Sequence, residues 1–436
     1  MTVPVLKVEI DFANGPSFSY PLLLDNSVYG ILDINTLGDV PADVVDISDM
    51  VMRCSTRRGR NRILANFESG SAAVTLNDPD SDFNPQNAAG PYYGKLLPLR
   101  KIRIYAETEF NSNTVQVNIF SGYITSYDTG FYSGVYDTST VTLQCVDGFR
   151  LLNNVSTGTN PIPGATVGQL SGARVETILD FAGFPTSMRT TDTGNSTMQV
   201  DPGGARSVLA AVQTVEQSEF GAFFMQRSGK TLFLDRDAVA KRANVAPRIY
   251  TDLGTAFPYS NIDFAFDDQL ILNDITVTRL NGTAQNVTDA TSIDTFFTKA
   301  GQRTGILVQT DQESLDQANT LLAARKNANL RIESITLNMN ATVSELNTLI
   351  NLNSDIYNLI TVEKQMSGGS SIVRELFIQG VQQDITPSTW NIKLLTAEPL
   401  IQAFILDSEN NASIGFVGQG YLGENPVTQG TNPLSY

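Results

Sequence analysis

The sequence predicts a mainly β protein with α+β insertions, and three observations carry that prediction. Short runs of alternating apolar and polar residues, bounded by Gly, Pro, Asn and Asp, recur over residues 1–150. Apolar residues at helical spacing are confined to residues 173–327. Strand-like alternation then returns over residues 331–400.

Taken in order, Val5 to Phe12 alternates apolar with charged residues and reads as a first strand, ended by Asn14-Gly15-Pro16. Residues 21–45 are punctuated by Gly, Asp and Pro and read as a loop or insertion, and Met52 to Ser55 as another strand. The stretch from Arg57 to Tyr105 opens with Arg57, Arg58, Arg60 and Arg62. It continues through Ala72–Leu76, a turn dense in Asp, Pro and Asn, the segment Pro91-Tyr92-Tyr93-Gly94, and Lys101–Tyr105. That pattern predicts a half-buried β-hairpin with a long connection. Gln116–Ile124 and Ser139–Asp147 form a second expected pair, so residues 1–150 read as one antiparallel barrel or sandwich.

From 151 to 245 the pattern is that of an α+β module. Ala173–Ala182 is a helix with Val175, Ile178 and Leu179 on one face, stopped by Gly183. Ser207 is the expected N-cap of a second helix with Val208, Leu209, Val212 and Val215 on its stripe. Gly221–Met225 and Thr231–Leu234 flank a hairpin turn at Arg227–Lys230. Residues 246–330 connect: a strand at Ile271–Arg279, polar loop over 281–310, and a helix at Asp311–Asn327 with Leu315, Ala318, Leu321, Leu322 and Arg325 at helical spacing. Strands follow at Arg331–Met339, Tyr357–Glu363, Val373–Val381 and Trp390–Leu395. Residues 401–436, rich in Gly, Asn, Pro and Ser towards the end, read as an extended arm ordered by a partner.

Composition narrows the function. A chain of 436 residues implies two to four domains, and 41% hydrophobic residues suffice for folded cores. A net charge of −16 argues against a protein that grips phosphates. With no histidine, Ser-His-Asp and Cys-His catalysis are excluded, and Cys54 and Cys145 alone cannot build a zinc cluster. Both are expected as free, buried thiols. The N-terminus has no signal-peptide pattern and no run reaches membrane-span length, so synthesis in a cytoplasm without membrane insertion is expected.

Asp78, Asp80, Asp82 and Asn84 are spaced like the start of a calcium loop. Phe83 and Ala89, however, stand where such a loop needs Gly and Glu, so a turn with solvated acids is the expectation. Asp263, Asp267 and Asp268 have no accompanying nucleophile and read as a solvated loop. Arg57, Arg58, Arg60 and Arg62 are expected to pair with carboxylates across a subunit interface, since Arg binds carboxylates bidentately. Tyr92 and Tyr93 join them as interface candidates. A second reading makes Tyr92, Tyr93, Tyr132 and Tyr136 a glycan-stacking surface on a receptor-binding β-sandwich.

Gly59-Arg60, Phe67, Gly70, Leu76-Asn77, Phe83-Asn84-Pro85 and Tyr92-Tyr93-Gly94 resemble the N-terminal part of bacteriophage minor tail proteins of the tail-hub (baseplate hub) type. The resemblance continues in order through Val146–Leu152, Leu209–Phe224, Gly229–Arg236, Asn273–Arg279, Gly380-Val381, Ile385-Thr386 and Trp390–Leu395. It departs in the segment before Asp46, over residues 292–300, and in the tail 401–436. It implies two tail-tube-like antiparallel β-barrel domains, at 1–150 and 331–400. It further implies a non-enzymatic homotrimer at the virion tail tip, without cofactor, adapting a sixfold tube to a threefold tip. Its implied partners are a distal tail or tube-end protein, a tape-measure protein and a tail fibre or receptor-binding protein. Double-stranded DNA would pass through without specific binding, helped by acidic residues facing the lumen.

Overall fold

The computed structural model describes residues 3–12, 43–60, 66–132, 138–243, 245–254, 257–341 and 344–399. The first seven strands are β1 (Val5–Asp11), β2 (Val44–Asp46), β3 (Val51–Gly59), β4 (Ser71–Asn77), β5 (Lys101–Phe110), β6 (Asn113–Tyr132) and β7 (Thr138–Val146). They pair antiparallel in the order β3-β4-β7-β6-β5-β1-β2. The expected partnership of β6 with β7 is present, but the expected hairpin between β4 and β5 is not. Asn111 and Ser112, both at positive φ (51° and 62°), instead make the tight turn that folds β6 back on β5. β6 is long enough to pair with β5 over its first half and β7 over its second, which separates β4 from β5. Cys54 and Cys145 are buried and free, on strands separated by β4.

The module that follows contains α1 (Phe149–Asn154), β8 (Gln169–Leu170), α2 (Ser171–Phe181), β9 (Arg189–Thr191), β10 (Thr197–Met198), α3 (Val208–Glu219), β11 (Ala222–Met225), β12 (Thr231–Leu234) and α4 (Arg236–Arg242). Val175, Ile178 and Leu179 share a core with Val208, Val212 and Val215, as the helical spacing requires. Ser207 accepts the Ala210 N–H, and Gly229 takes φ +82° in the β11–β12 turn.

Next come β13 (Arg248–Thr251), β14 (Asn261–Ala265), β15 (Asp274–Arg279), β16 (Gln285–Thr288), α5 (Ala290–Phe296), β17 (Ala300–Ile306) and α6 (Asp311–Arg325). The expected loop over 281–310 is therefore mostly regular structure. β16 and β17 flank β15, one antiparallel and one parallel. Their polar residues hid the period because one face stays exposed. α6 begins with a capping box between Thr310 and Glu313. Ala318 and Leu321 of the expected stripe are buried and Leu322 packs against the same core, while Leu315 and Arg325 are half-buried; Ser314 and Gln317 share the buried face, and Gln317 donates to the Ser218 carbonyl on α3.

The last elements are β18 (Arg331–Asn338), α7 (Glu345–Leu352), β19 (Leu359–Gln365), β20 (Ser371–Ile385) and β21 (Trp390–Ala397). β14, β18, β21 and β20 follow one another antiparallel. The first part of β20 pairs with β19, and its last residues pair with β3. Strands from the two ends of the chain thus make one continuous sheet over one apolar core, in which Val74 and Leu143 belong with Ile378 and Leu394. Among the described residues neither run closes on itself by hydrogen bonds. The fold is mainly β, as the sequence predicts.

Candidate functional site at the strand seam

The seam between β3 and β20 brings residues 54–59 against 380–385, from Cys54 opposite Ile385 to Gly59 opposite Gly380. Alternation along β3 sends Cys54, Thr56 and Arg58 to one face and Arg53, Ser55 and Arg57 to the other.

On the inner face Arg58 lies within 2.7 Å of the Asp355 carboxylate, whose second oxygen is 3.7 Å from Arg227. Beyond Gly59, Arg60 donates to Gln379 Oε1 and to the Tyr357 hydroxyl, each at 2.8 Å, and lies 4.3 Å above the Phe67 ring. Phe67, Phe224 and Tyr357 form an aromatic cluster beneath it. Asp147 is buried close by and accepts from Gly70 N, Ser69 Oγ and Phe149 N at 2.7, 2.8 and 3.0 Å. Burial pushes its carboxyl up to about 6, against those hydrogen bonds and the Arg58 charge. Glu216 on α3 is pushed up to about 7, again by burial, with Arg60 opposing. Burial also works against ionised Asp355, yet Arg58 and Arg227 hold it below its usual range.

These directions predict a pH profile. A carboxyl raised in the folded state stabilises the fold fully at low pH, and that stability is lost as pH rises from its unfolded to its folded value. For Asp147 and Glu216 the loss falls between about pH 4 and pH 7. Urea unfolding should therefore find the protein more stable at pH 5 than at pH 8. Glu216→Gln should flatten that difference by about 2–3 kcal/mol; an unchanged profile would rule out Glu216 as a source.

The outer face of the seam carries a concave groove of about 530 Å³ lined by β18, β21, β20, β3, β4 and β7. Its surface is Ser55, Ser71, Thr336, Gln144, Gln382 and Asn391 around a few charges. Each of its cations faces an acid: Arg53 with Asp384 at 2.9 Å, Arg57 with Glu68 at 3.5 Å, Lys393 with Asp263 at 3.0 Å.

Among the described arginines named from sequence, Arg57 alone faces outward. Arg58 and Arg60 are 6% and 7% exposed and make contacts within the chain, to Asp355, Gln379 and Tyr357. The reason is register: Arg58 falls on the inward side of β3, and Gly59, at φ +98°, turns Arg60 inward as well. Arg62 lies outside the described residues, as do Tyr136, the Tyr132 side chain and the tail 401–436. Tyr92 is partly buried, stacked on Phe12 at 5.0 Å and tilted against Phe83 at 4.9 Å. Tyr93 is 56% exposed.

The turn acids are not uniformly solvated. Asp78 is fully buried and accepts the backbone N–H groups of Asp82 and Phe83 at 2.8 and 3.0 Å, which pins the turn. Asn84 accepts from Gln86 N. Among the described residues no group of three or more acids or cysteines is arranged to hold a metal ion. Asp263, Asp267 and Asp268 pair with Lys393, Arg331 and Lys299 instead of standing free in a loop. Asp355, Tyr357 and Gln379, which complete the inner seam, carry no motif that would have singled them out.

No protein-family model matches the sequence, and no curated protein is significantly similar to it. Solved structures share its fold, two tail proteins among them. One is the 43 kDa tail protein of prophage MuSo2 from Shewanella oneidensis, 12% identical, with a TM-score of 0.52 over 82% of this chain and 96% of that one. The other is the tail protein from Neisseria meningitidis MC58, 13% identical, with a TM-score of 0.51 over 83% of this chain and 95% of that one.

Proposed function

We propose that this chain is a structural, non-enzymatic component of a phage tail, and specifically the hub at the tail tip. The observation that carries the reading is the fold shared over most of the chain with two tail proteins. In the proposal, residues 1–150 and 331–400 are the two tube-like units, 151–245 the α+β module, 246–330 the connection and 401–436 the C-terminal tail. Three copies would set six such units in a ring, meeting a sixfold tube above and a threefold tip below. The tube-end and tape-measure proteins would bind above, and fibre or receptor-binding proteins below. Assembly would take place in the host cytoplasm.

The polar groove is the face we assign to the DNA passage. Its Ser, Thr, Gln and Asn side chains carry no charge, and its cations are matched by acids. A phosphate backbone sliding past releases few counterions and gains little affinity. Neutral pairing thus takes the role that an acidic lining was expected to fill. Arg57 and Tyr93 remain the exposed candidates for contacts between subunits. The glycan-binding alternative gains no support from Tyr92, whose ring is used against Phe12 and Phe83.

Light scattering on the purified protein should return three chain masses, with rings in negative stain. A stable monomer at micromolar concentration would overturn the trimeric hub.

A further inference from the structure

Between α5 and β17 the chain passes through Phe297, whose φ of +58° and ψ of 171° form a backbone conformation that suits glycine and that a bulky residue rarely adopts. Its side chain is also the most exposed of the large hydrophobic residues described, at 86%. Exposure of one apolar residue is ordinary. Exposure together with a strained backbone is not, because strain persists only where the surroundings impose it. Here Asn273, which is fully buried, imposes it. Its Nδ2 donates to the Phe297 carbonyl at 2.9 Å and to Ser292 Oγ at 3.1 Å, and its Oδ1 accepts from Lys299 N at 2.7 Å. Its own N–H donates to the Lys299 carbonyl and its carbonyl accepts from Asp289 N, both at 3.0 Å. Ser292 Oγ donates in turn to the Lys326 carbonyl at the end of α6, at 2.6 Å. Every polar group of Asn273 is thus spent on residues 289–299, and an aromatic ring is held out from the surface as a result.

Lys299 pairs with Asp268, just beyond Phe264 and Phe266 in the chain. Both of those rings are exposed, Phe266 at 69%, and Phe264 lies on β14, which ends the order of the long sheet among the described residues. The surroundings are close to neutral. Residues 290–298 carry one charge, Asp294, while Asp267, Asp268 and Asp289 are matched by Arg331, Lys299 and Lys326. A nucleic acid or a strongly basic partner finds little to grip on such a face. A second copy of this chain is better suited to it. At a net charge of −16 two copies repel, and they approach most easily where each face is locally neutral.

We infer that Phe297 anchors the contact with a second copy of this chain, its ring buried against the neighbour. This rests on the trimeric hub proposed above, in which each copy turns one face to a different face of the next, the arrangement that closes a ring. An anchor already fixed in the free chain loses little freedom on binding, which is what the strained backbone secures.

Light scattering over a dilution series, comparing the full chain with its Phe297→Gly and Phe297→Ala variants, tests this. In both variants the concentration at which the trimer half dissociates should rise at least about tenfold, as loss of a buried aromatic anchor requires. Urea unfolding of the dissociated chains supplies the control: Phe297→Gly should unfold at a midpoint no lower than the wild type, because glycine takes that backbone freely. A lowered midpoint would assign Phe297 to the fold of the single chain and overturn the inference. A wild-type trimer that both variants leave intact overturns the anchor while the hub reading stands. Weakened assembly in only one of the two variants overturns the ring as the contact. A wild-type chain that stays monomeric throughout overturns the anchor and the hub reading together.

Discussion

Arg58→Ala is expected to destabilise the isolated chain by about 3–5 kcal/mol, because it leaves Asp355 charged and partly buried without its nearest partner. Arg227, at 3.7 Å, compensates only in part. Adding Arg60→Ala should lower stability further, since that guanidinium joins Gln379, Tyr357 and the Phe67 ring across the seam. Urea unfolding of the purified protein at one fixed concentration measures the effect, and a double-mutant cycle with Asp355→Ala isolates the pair. Arginines serving only a neighbouring subunit would behave oppositely: the fold of each chain would keep its stability and only assembly would suffer. Unchanged unfolding midpoints in both variants would return the arginines to that role.

Gly59→Ala should cost about 2–5 kcal/mol, combining the ~1–2 kcal/mol of a left-handed non-glycine residue with the ~1–3 kcal/mol of overpacking. Gly59 has φ +98°, and a Cβ there would stand 2.3 Å from the Gln379 carbonyl oxygen and 2.5 Å from Gly380 Cα, both backbone atoms that cannot swing away. The control is Gly158→Ala: φ is +73° and nothing lies within 4 Å of the added carbon, so only the conformational cost applies. If the two variants lose equal stability, the close approach of the two strands is not what Gly59 serves.

Much of the fold was legible because its elements announce themselves locally. Period-2 runs located β1, β4, β5, β6, β7 and the four late strands, and the stripe Val208-Val212-Val215 with its Ser207 cap located α3. What stayed hidden was pairing over long separations. Nothing local says that residues near 57 lie beside residues near 382, so the stretch from Arg57 to Tyr105 was read as a self-contained hairpin. The same blindness applies to the arginines. Basic residues in a row look like a surface feature, and whether Arg58 points in or out depends on the partner strand's register. Polar elements escaped for a different reason: β16 and β17 keep one face exposed, and the buried face of α6 includes Ser314 and Gln317, the latter donating to the Ser218 carbonyl. The fold likeness to tail proteins, by contrast, was readable from the order of weak turn and strand signals, none of which is specific alone.

The seam also sets a timetable for the chain's birth. Arg58 and Asp355 are separated by 297 positions, so a ribosome adding about 5–20 residues per second needs roughly 15–60 s between the two. Until β20 emerges, β3 presents an unpaired edge and Arg58 an unmatched charge. The shared core therefore cannot close during synthesis of the first 370 residues, and the nascent protein must carry an open sheet through that interval. Conditions that slow translation should lower the soluble yield of this chain more than that of a protein whose terminal strands pair with near neighbours.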